Sequence, residues 1–546
     1  MSALQVILGL LVAVAVLALA ARKLHVPYPI VLVVGGLTIA LVPGLPPVTL
    51  APDVVFLVFL PPLVYSAGWL TSLRDFKANL RPIGLLSIGL VLATTGCIAV
   101  LAHALVPGLP WAAAFALGAI VSPTDTVAPN AIFRRLGVPR RVSAVLEGES
   151  LVNDATGLIA YRYAVAAVVT GAFVAWQAGL HLVVSSVGGL ALGVAMAWLL
   201  NQVQRRLEDP PIEITLSFLV PYAIYLAAQA IDLSGVLAVA AAGIYASRRN
   251  HETFSAATRL QAIAVWEVCM FVMNGLVFVL IGLQLPLVRE GLAGQPVVQL
   301  LGYGLAISLA VILVRLLWVF PATYLPRLLS PRVRAKDPYP DWREVVVVAW
   351  TGMRGVVSLA AALSLPLTTA GGRPFPGRDL IVLITFCVIL VTLVGQGLTL
   401  PPLLRWLRLG GDDAFADEET AARTRAIDAA LARLEELGQG EGATEDGMRY
   451  LRAYYGKRRR TVETQAGQVD HEHGPEDGLR HAHESGRDHV DDHRDRLAAM
   501  TRLHLELLGA ERAAIVRLRD IGEIGDEVLL KVQRDLDLEE VRLGAR

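Results

Sequence analysis

Residues 146–157 concentrate side chains whose types and spacing could do chemistry. The segment reads Leu-Glu-Gly-Glu-Ser-Leu-Val-Asn-Asp-Ala-Thr-Gly and opens a long apolar stretch. On a helix, Ser150 and Asp154 lie one turn apart on one face, while Glu149 and Asn153 share a neighbouring face. Several carboxylates in one buried half-helix cannot all stay ionised without partners. Asp154 lies deepest in the apolar run, so it is the acid we predict to do the chemistry.

Glu147 lies two residues before Glu149 in the sequence and has two interpretations. It is either an acid at the end of the helix, in the headgroup region, or an accessory acid of the same site. The sequence leaves both open.

A second polar interruption lies at residues 118–129, where Ser122, Thr124 and Asp125 are found beside two prolines six residues apart. Such a segment is not expected to form a continuous helix. Broken backbone within a membrane is tolerated where it is buried in protein or lines a cavity. Its freed carbonyls and hydroxyls are oxygen ligands of the kind that hard cations prefer. A simple proline kink is the alternative.

A third interruption, at residues 349–358, places Arg354 between Gly352 and Gly355 in another apolar run. Arg354 stays charged at any physiological pH. We therefore expect a structural and electrostatic role for it, in an ion pair with Glu149, because a direct ligand role would repel a cation.

The tenth apolar run carries Glu267 and, seven residues later, Asn274 on the same face. Glu267 is interpreted as an interfacial acid, with a cation funnel or a dimer interface as the alternative. Arg162 and Arg315 also lie in apolar runs, but nothing near them in the sequence names their partners.

The elements that must position these residues are membrane-spanning helices. Of the 546 residues, 55% are hydrophobic and 18% are charged, which is unusual for a soluble protein. A helix needs roughly 20 apolar residues to cross a bilayer. On that basis we predict thirteen spans near 3–21, 28–43, 53–71, 82–105, 111–130, 142–170, 181–203, 213–230, 233–247, 260–285, 297–325, 344–367 and 380–404. The first is interpreted as a span, because the basic residues that a signal peptide needs before it are absent.

The basic residues of the connections predict the orientation. Alternate loops hold 21 Lys and Arg on one side, whereas the other side holds only Arg289, Arg373 and Arg378. Lys and Arg accumulate in cytoplasmic loops. We therefore expect a multi-pass protein of the cell membrane with the N-terminus outside and the tail in the cytoplasm.

Residues 409–546 are predicted to be a helical cytoplasmic tail that follows a membrane domain at residues 1–408. From residue 411 onwards there are 21 Lys and Arg against 31 Asp and Glu, and no long apolar run. Helices are expected at 415–437, 444–468, 494–520 and 522–543, the last with an apolar stripe formed by Ile524, Val528, Leu529, Val532 and Leu536. The His-rich segment 471–493 is interpreted as a solvated linker, with pH sensing or metal binding as the alternatives. Nothing suggests nucleic-acid binding.

These stretches resemble the bacterial sodium/proton exchangers of the monovalent cation:proton antiporter-1 family, the NhaP-type group. The similarity rests on residues 122–125, 147–154, 274–284 and 352–357, and it covers residues 1–408. The resemblance implies an all-α fold of thirteen helices in two inverted repeats, with two crossed, interrupted helices. It also implies a homodimer in which a core domain (spans 4–6 and 11–13) moves past a dimer domain (spans 1–3 and 7–10).

The resemblance also implies the roles of individual residues. Asp154 matches the ion-binding aspartate, and Asn153 matches the asparagine before it. Thr124, Asp125 and Ser150 match the residues that complete Na⁺ coordination. Glu149 and Arg354 match a salt bridge that braces the core. Apart from the resemblance, we expect Glu147, Glu267 and Ser122 to be accessory residues of the site. The acid that some relatives carry in the third span is absent from residues 63–69.

A mechanism follows for such a site. A carboxyl group held away from water favours its neutral form, so Asp154 would bind either a proton or a cation. Competition for one site gives obligatory exchange of Na⁺ or Li⁺ for H⁺, and the neutral amide of Asn153 predicts a 1:1, electroneutral ratio. No catalytic activity and no cofactor are expected. K⁺/H⁺ exchange is the alternative within the transporter class, and a cation channel or an intramembrane aspartyl protease is the alternative outside it.

Overall fold

The structure is a computed structural model that describes residues 3–43, 54–171, 175–204, 206–207, 209–253, 255–284, 296–409, 413–438, 445–465 and 490–544. The chain divides into two compact units. The first comprises Met1–Thr253 and Ala262–Gly411, and the second comprises Phe254–Gln261 and Asp412–Arg546. The described residues are helices joined by loops, and their β structure is a single isolated bridge between Thr368 and Pro374.

The helices of the first unit follow the predicted apolar runs. Their bounds are Ala3–Leu24, Tyr28–Ala40, Val55–Phe59 continued by Leu60–Leu70, Leu73–Ala78, Leu80–Leu105, Trp111–Val121, Val127–Leu136, Arg140–Thr170, Ala175–Gln204, Pro210–Ala230, Gly235–Thr253, Ala256–Leu283, Val297–Leu329, Pro331–Lys336, Trp342–Trp350, Val356–Leu363 and Arg378–Leu407. Three of these runs contain π-helical segments, at Val55–Phe59, Leu85–Leu90 and Val391–Gln396. The prediction of an all-helical chain is therefore confirmed.

Seven of the described helices are long and apolar enough to cross a membrane on their own. Their outward faces are apolar too: Val298 is 84% exposed, Leu317 is 73% exposed and Trp176 is 67% exposed. In water such large exposed side chains would be unfavourable, whereas hydrocarbon is their natural surroundings. The first unit is thus a bundle whose outside is built to face lipid.

The two predicted interruptions are both present. The fifth run is split into Trp111–Val121 and Val127–Leu136, and the twelfth into Trp342–Trp350 and Val356–Leu363. Residues 122–126 and 351–355 between the halves are not helical. A simple proline kink would have left one bent helix, so the alternative interpretation of the fifth run is wrong.

The second unit contains four tail helices, Asp413–Leu437, Glu445–Gln465, Val490–Asp520 and Asp526–Gly544. The predicted stripe is confirmed for Val528, Leu529, Val532 and Leu536, which lie on the last helix and in the core of this unit. Ile524 lies in the same core, but just before this helix begins at Asp526. Most of the His-rich segment 471–493 lies outside the described residues.

Buried ion pairs join the elements of the second unit. Asp537 is 3% exposed and accepts hydrogen bonds from Arg259, from Nε to Oδ2 at 2.8 Å, and from Arg512 at 2.9 Å. Arg259 is 5% exposed and lies in the first turns of the helix Ala256–Leu283, within the segment that belongs to this unit. These contacts within the second unit are charge-assisted hydrogen bonds.

Glu539, two residues further along, sits in a second polar cluster. Burial of the Glu539 carboxyl would raise its pKa. The nearby His504, the charge of Arg458 and a 2.6 Å hydrogen bond from the Tyr454 hydroxyl outweigh burial and lower the pKa to about 2. The ionised form of Glu539 is thus the one that the folded unit stabilises.

Candidate functional site

The two interrupted segments touch each other at their breaks. The backbone N–H of Asp125 donates to the carbonyl of Met353 at 2.7 Å. In the other direction, Nε of Arg354 donates to the carbonyl of Val121 at 3.0 Å. The polar backbone that each break exposes is therefore satisfied by the other, as buried backbone must be. The crossing of the interrupted helices, predicted from the resemblance, is confirmed.

A cavity of about 130 Å³ lies beside this crossing. Its wall is formed by the two breaks and the helices that follow them, by the helix Arg140–Thr170, and by the helices Leu60–Leu70 and Ala256–Leu283. The polar side chains in its wall are those of Thr124, Asp125, Thr126, Asn130, Glu147, Ser150, Asp154, Asn274 and Ser358. A cavity in which polar groups converge among apolar side chains is typical of a small-ligand site.

Asp154 faces this cavity without a protein partner. Within the described part of the chain, no hydrogen bond or ion pair involves its carboxylate, although Asp125 is close enough to repel it electrostatically. The Asp125 carboxylate instead accepts a 2.8 Å hydrogen bond from the backbone N–H of Val127, at the start of the helix Val127–Leu136. The two acids therefore differ, because the start of a helix stabilises the negative charge of Asp125, whereas the Asp154 carboxylate accepts no hydrogen bond from the described residues.

A buried polar network supports the cavity from behind. Asn153 donates through Nδ2 to the Thr124 hydroxyl at 2.8 Å, and that hydroxyl donates to Glu149 at 3.0 Å. The Asn153 side chain is only 1% exposed and is not in the cavity wall. Its Nδ2 orients the Thr124 side chain, while its Oδ1 is buried without a hydrogen-bond partner among the described residues.

The ion-pair partner of Glu149 is Arg315, which corrects the predicted pairing with Arg354. Both nitrogens Nη1 and Nη2 of Arg315 donate to the Glu149 carboxylate, the second at 2.8 Å, and Nε donates to the carbonyl of Val348 at 3.1 Å. Arg315 and Glu149 are 0% and 1% exposed. The bidentate geometry is the strongest form of this contact. Arg315 comes from the helix Val297–Leu329. No local pattern in the sequence indicates that this helix packs beside Glu149.

Arg354 takes a different place, at the crossing. Its backbone N–H donates to the Thr392 hydroxyl at 3.1 Å, and its guanidinium donates to the carbonyls of Val121 and Gly352. Val121 ends the first half of the fifth run, where a helix carries partial negative charge that a cation stabilises. The expectation of a structural and electrostatic role agrees with these contacts, although the partners are carbonyls.

The accessory residues are distributed unequally. Glu147 lines the cavity and accepts a 3.0 Å hydrogen bond from Asn130 Nδ2. Ser122 is buried and donates to the carbonyl of Ala119 at 3.1 Å, outside the cavity wall. Glu267 is exposed on the outside of its helix and does not reach the cavity, whereas Asn274 on the same helix does.

Sequence patterns did not indicate several residues of the site, among them Asn130 and Gly355. Asn130 lies just beyond the second proline, past the interruption at residues 118–129. Gly355 was noted only as a marker of a break. A Cβ atom at Gly355 would collide with Oδ2 of Asp125, so this glycine is what allows the Asp125 carboxylate to approach the second break.

Comparison with known proteins decides the family. A family model described as "Sodium/hydrogen exchanger, transmembrane" matches residues 9–406. The chain belongs to this family. Its members are transporters, so the description of the chain as a membrane antiporter that is not an enzyme follows from the family. A cation channel and an aspartyl protease are thereby disfavoured.

Relatives extend the similarity beyond the membrane unit. A protein of Mycobacterium tuberculosis named as an uncharacterized Na⁺/H⁺ exchanger is 36% identical over 546 residues, covering 99% of this chain and 96% of its own length. A "Sodium, potassium, lithium and rubidium/H(+) antiporter" of Bacillus pumilus is 37% identical over 396 residues, which are 69% of this chain and 58% of that protein. The Na⁺/H⁺ antiporter ApNhaP of Aphanothece halophytica is 32% identical, covering 75% of each chain.

A solved structure has the same fold. The sodium proton antiporter MjNhaP1 from Methanocaldococcus jannaschii matches with a TM-score of 0.57 and 18% sequence identity, covering 74% of this chain and 98% of that one.

Proposed function

We propose that the chain exchanges Na⁺ or Li⁺ for H⁺ by competition at Asp154. The observation that carries this proposal is the Asp154 carboxylate, which faces a polar cavity and has no partner among the described residues. An unpartnered ionised carboxylate in such surroundings is costly. Binding a proton or a cation removes that cost, and one site cannot hold both. No cofactor is needed beside the transported ions.

The surrounding oxygen atoms suit a hard cation. Asp125, Thr124 and Ser150 lie in the same cavity wall as Asp154, and together they offer carboxylate and hydroxyl oxygens of the kind such cations prefer. Asn153 serves a different purpose in this proposal, because its amide orients Thr124. Glu149 with Arg315, and Arg354 at the crossing, keep the two breaks in register.

The exchange is proposed to be electroneutral, with one cation for one proton. Asn153 is a neutral amide committed to Thr124, so it carries no additional proton. The buried acid of the supporting network, Glu149, is paired with Arg315, so its charge is balanced within the protein. Asp154 is then the group whose proton balances the cation.

The cavity geometry supports alternating access. One wall comes from the segments assigned to the core domain, and the opposite wall from the spans assigned to the dimer domain, through residues such as Leu63, Asn274 and Phe278. The cavity also extends from Asp154 to Glu147, two helical turns towards Arg140 and Arg141. We infer that this conformation admits ions from the Lys/Arg-rich side, which is the cytoplasm in the proposed orientation within the cell membrane. The working unit is proposed to be a homodimer.

The second candidate function differs in the transported cation. Relatives from Bacillus are named for sodium, potassium, lithium and rubidium, which supports K⁺/H⁺ exchange as the second candidate. The test is proton flux in everted membrane vesicles, followed with a pH-sensitive dye while Na⁺, Li⁺ and K⁺ are added in turn. A response to K⁺ equal to that to Na⁺ would favour the second candidate.

The same assay tests the site. Asp154→Asn is expected to abolish exchange, because an amide neither ionises nor neutralises a cation. The matched control is Glu267→Gln, which also converts an acid of an apolar helix to its amide but lies outside the cavity, and it should leave exchange intact. Gel filtration and thermal unfolding must show both variants folded. Normal exchange by a folded Asp154→Asn protein would overturn the proposal.

Electroneutrality is tested in proteoliposomes. With K⁺ and valinomycin used to impose a membrane potential, the initial rate of Na⁺-driven proton flux should not change. If each transport cycle moved one net charge, a membrane potential of 100 mV would contribute about 2.3 kcal/mol to the driving force. A rate that rises with the potential, or a transport current on addition of Na⁺, would refute the 1:1 ratio.

A further inference from the structure

Three arginines converge on one aspartate at one end of the membrane helices. Arg81 and Arg327 each donate through Nη2 to Oδ2 of Asp337 at 2.8 Å, and Arg141 donates to Oδ1 at 2.7 Å. We call these four residues the Asp337 cluster. The three arginines come from the start of Leu80–Leu105, the start of Arg140–Thr170 and the end of Val297–Leu329, and Asp337 directly follows the short helix Pro331–Lys336.

The cluster carries more positive charge than Asp337 can balance. Arg327 is 2% exposed and is also satisfied by the carbonyls of Asp337 and Pro338. Arg81 and Arg141 are 28% and 33% exposed, and Nε of Arg81 is buried without an acceptor among the described residues. Even with Glu344 nearby, three guanidinium groups face two carboxylates. The surplus donors point to an anion.

The cluster adjoins an apolar cavity of about 50 Å³ between four helices. Arg141 and Arg327 lie in its wall, together with aliphatic side chains of each helix, among them Leu85, Val142, Val319, Val345 and Val348. Most of these aliphatic residues are buried. The space is small, enough for a few methylene groups. A charged rim above an aliphatic wall, at the end of membrane helices, matches an amphipathic ligand.

We propose that the Asp337 cluster binds the phosphate group of an anionic membrane phospholipid, with the first part of the lipid's hydrocarbon chain against the aliphatic wall. Guanidinium groups match phosphate oxygens in bidentate geometry. Basic pockets between membrane helices are known places for anionic headgroups. A soluble phosphate ion would use the charges but not the aliphatic wall. The bound phosphate relieves the repulsion between Arg81 and Arg141 and so holds the ends of the four helices together.

The experiment measures the thermal unfolding midpoint of the purified full chain in detergent. Phosphatidylglycerol, phosphatidylcholine or inorganic phosphate is added at equal concentration, and phosphatidylglycerol alone is expected to raise the midpoint. Arg81→Gln/Arg141→Gln should lose this response. The matched control is Arg332→Gln/Arg334→Gln, which removes the same charge from two exposed arginines of the neighbouring helix Pro331–Lys336 and should keep it.

Native mass spectrometry gives a second, direct readout of lipid retained. Each guanidinium removed from the cluster should weaken phosphatidylglycerol binding about fivefold. Should the glutamine variant fail to fold, Arg81→Lys/Arg141→Lys keeps the charge but not the bidentate geometry, and its binding should be weaker than that of the unaltered chain.

Four results would overturn the proposal. They are equal stabilisation by phosphatidylcholine, equal loss in the control variant, full stabilisation by inorganic phosphate alone, and unaltered retention by the lysine variant. The outcome does not depend on which cation is transported, because every readout is binding or stability.

Discussion

The ion pair between Arg315 and Glu149 offers the sharpest test of how the site is braced. Arg315→Met keeps much of the side-chain volume but removes three hydrogen-bond contacts, two to Glu149 and one to the carbonyl of Val348. The Glu149 carboxylate, 1% exposed, is then left with the Thr124 hydroxyl as its remaining donor among the described contacts. Breaking a buried pair on one side costs about 3–5 kcal/mol, because the other charge stays behind uncompensated.

The double variant Arg315→Met/Glu149→Gln separates this cost from ordinary packing loss. It removes both charges, so it should be less destabilised than the sum of the two single variants, with a coupling energy at the upper end of the roughly 0.5–3 kcal/mol seen for residues in contact. The measurement is the free energy of unfolding of the purified chain in mixed micelles, titrated with denaturant. Exchange activity in vesicles is followed in parallel, since a displaced Thr124 should lower it.

The comparison variant is Arg354→Met. Arg354 is the arginine that the sequence analysis predicted as the partner of Glu149. Its side chain donates to the carbonyls of Val121 and Gly352, so its coupling to Glu149→Gln should be the smaller of the two. Additive effects for Arg315 and Glu149, or a stronger coupling through Arg354, would refute the pairing described above.

Two further predictions concern a close contact and a titrating group. Gly355→Ala should impair exchange and destabilise the chain by about 1–3 kcal/mol, because the added methyl group displaces the Asp125 carboxylate. In the control Gly371→Ala the added atom meets open space. This control should change neither the free energy of unfolding nor the exchange rate in vesicles. The Glu539 pKa is lowered to about 2 from its ordinary 4.5, so its stabilisation is complete above pH 4.5 and is lost as the pH falls towards 2. Glu539→Gln should reduce this acid-dependent loss of stability. The measurement is hydrogen exchange of the last tail helix in the full chain, corrected for the intrinsic exchange rate. The control Glu436→Gln changes an acid that is 66% exposed, and it should leave the loss unchanged. An acid response of Glu539→Gln identical to that of the unaltered chain would contradict the second prediction.

Much of the architecture could be predicted from local patterns. Hydropathy located the helices, because each membrane helix must be apolar along its own length. Pro123 and Pro129 located one break, and Gly352 with Gly355 located the other, because these residues disturb the backbone where they stand. Asp154 could be selected for the same reason, since an acid deep in an apolar run needs a purpose whatever surrounds it.

Contacts between distant segments could not be predicted in this way. Arg315 was visible as a buried charge, yet its partner lies 166 residues away, and the wrong arginine was chosen for Glu149. The Asp337 cluster, whose members span 256 positions, was visible only as scattered loop charges. Helix packing decides such pairs, and packing depends on the shapes of many side chains at once.

By itself, then, the amino-acid sequence determined what each segment does locally: which stretches enter lipid, where two helices break, and which acid is stranded in an apolar run. Tertiary structure decided which groups meet, namely Arg315 with Glu149, Arg354 with helix-end carbonyls, and the cavity wall completed by Asn274. The physical reason is that hydrophobicity and backbone preference act residue by residue, whereas a buried charge is satisfied by whichever donor the packed helices bring within hydrogen-bond distance.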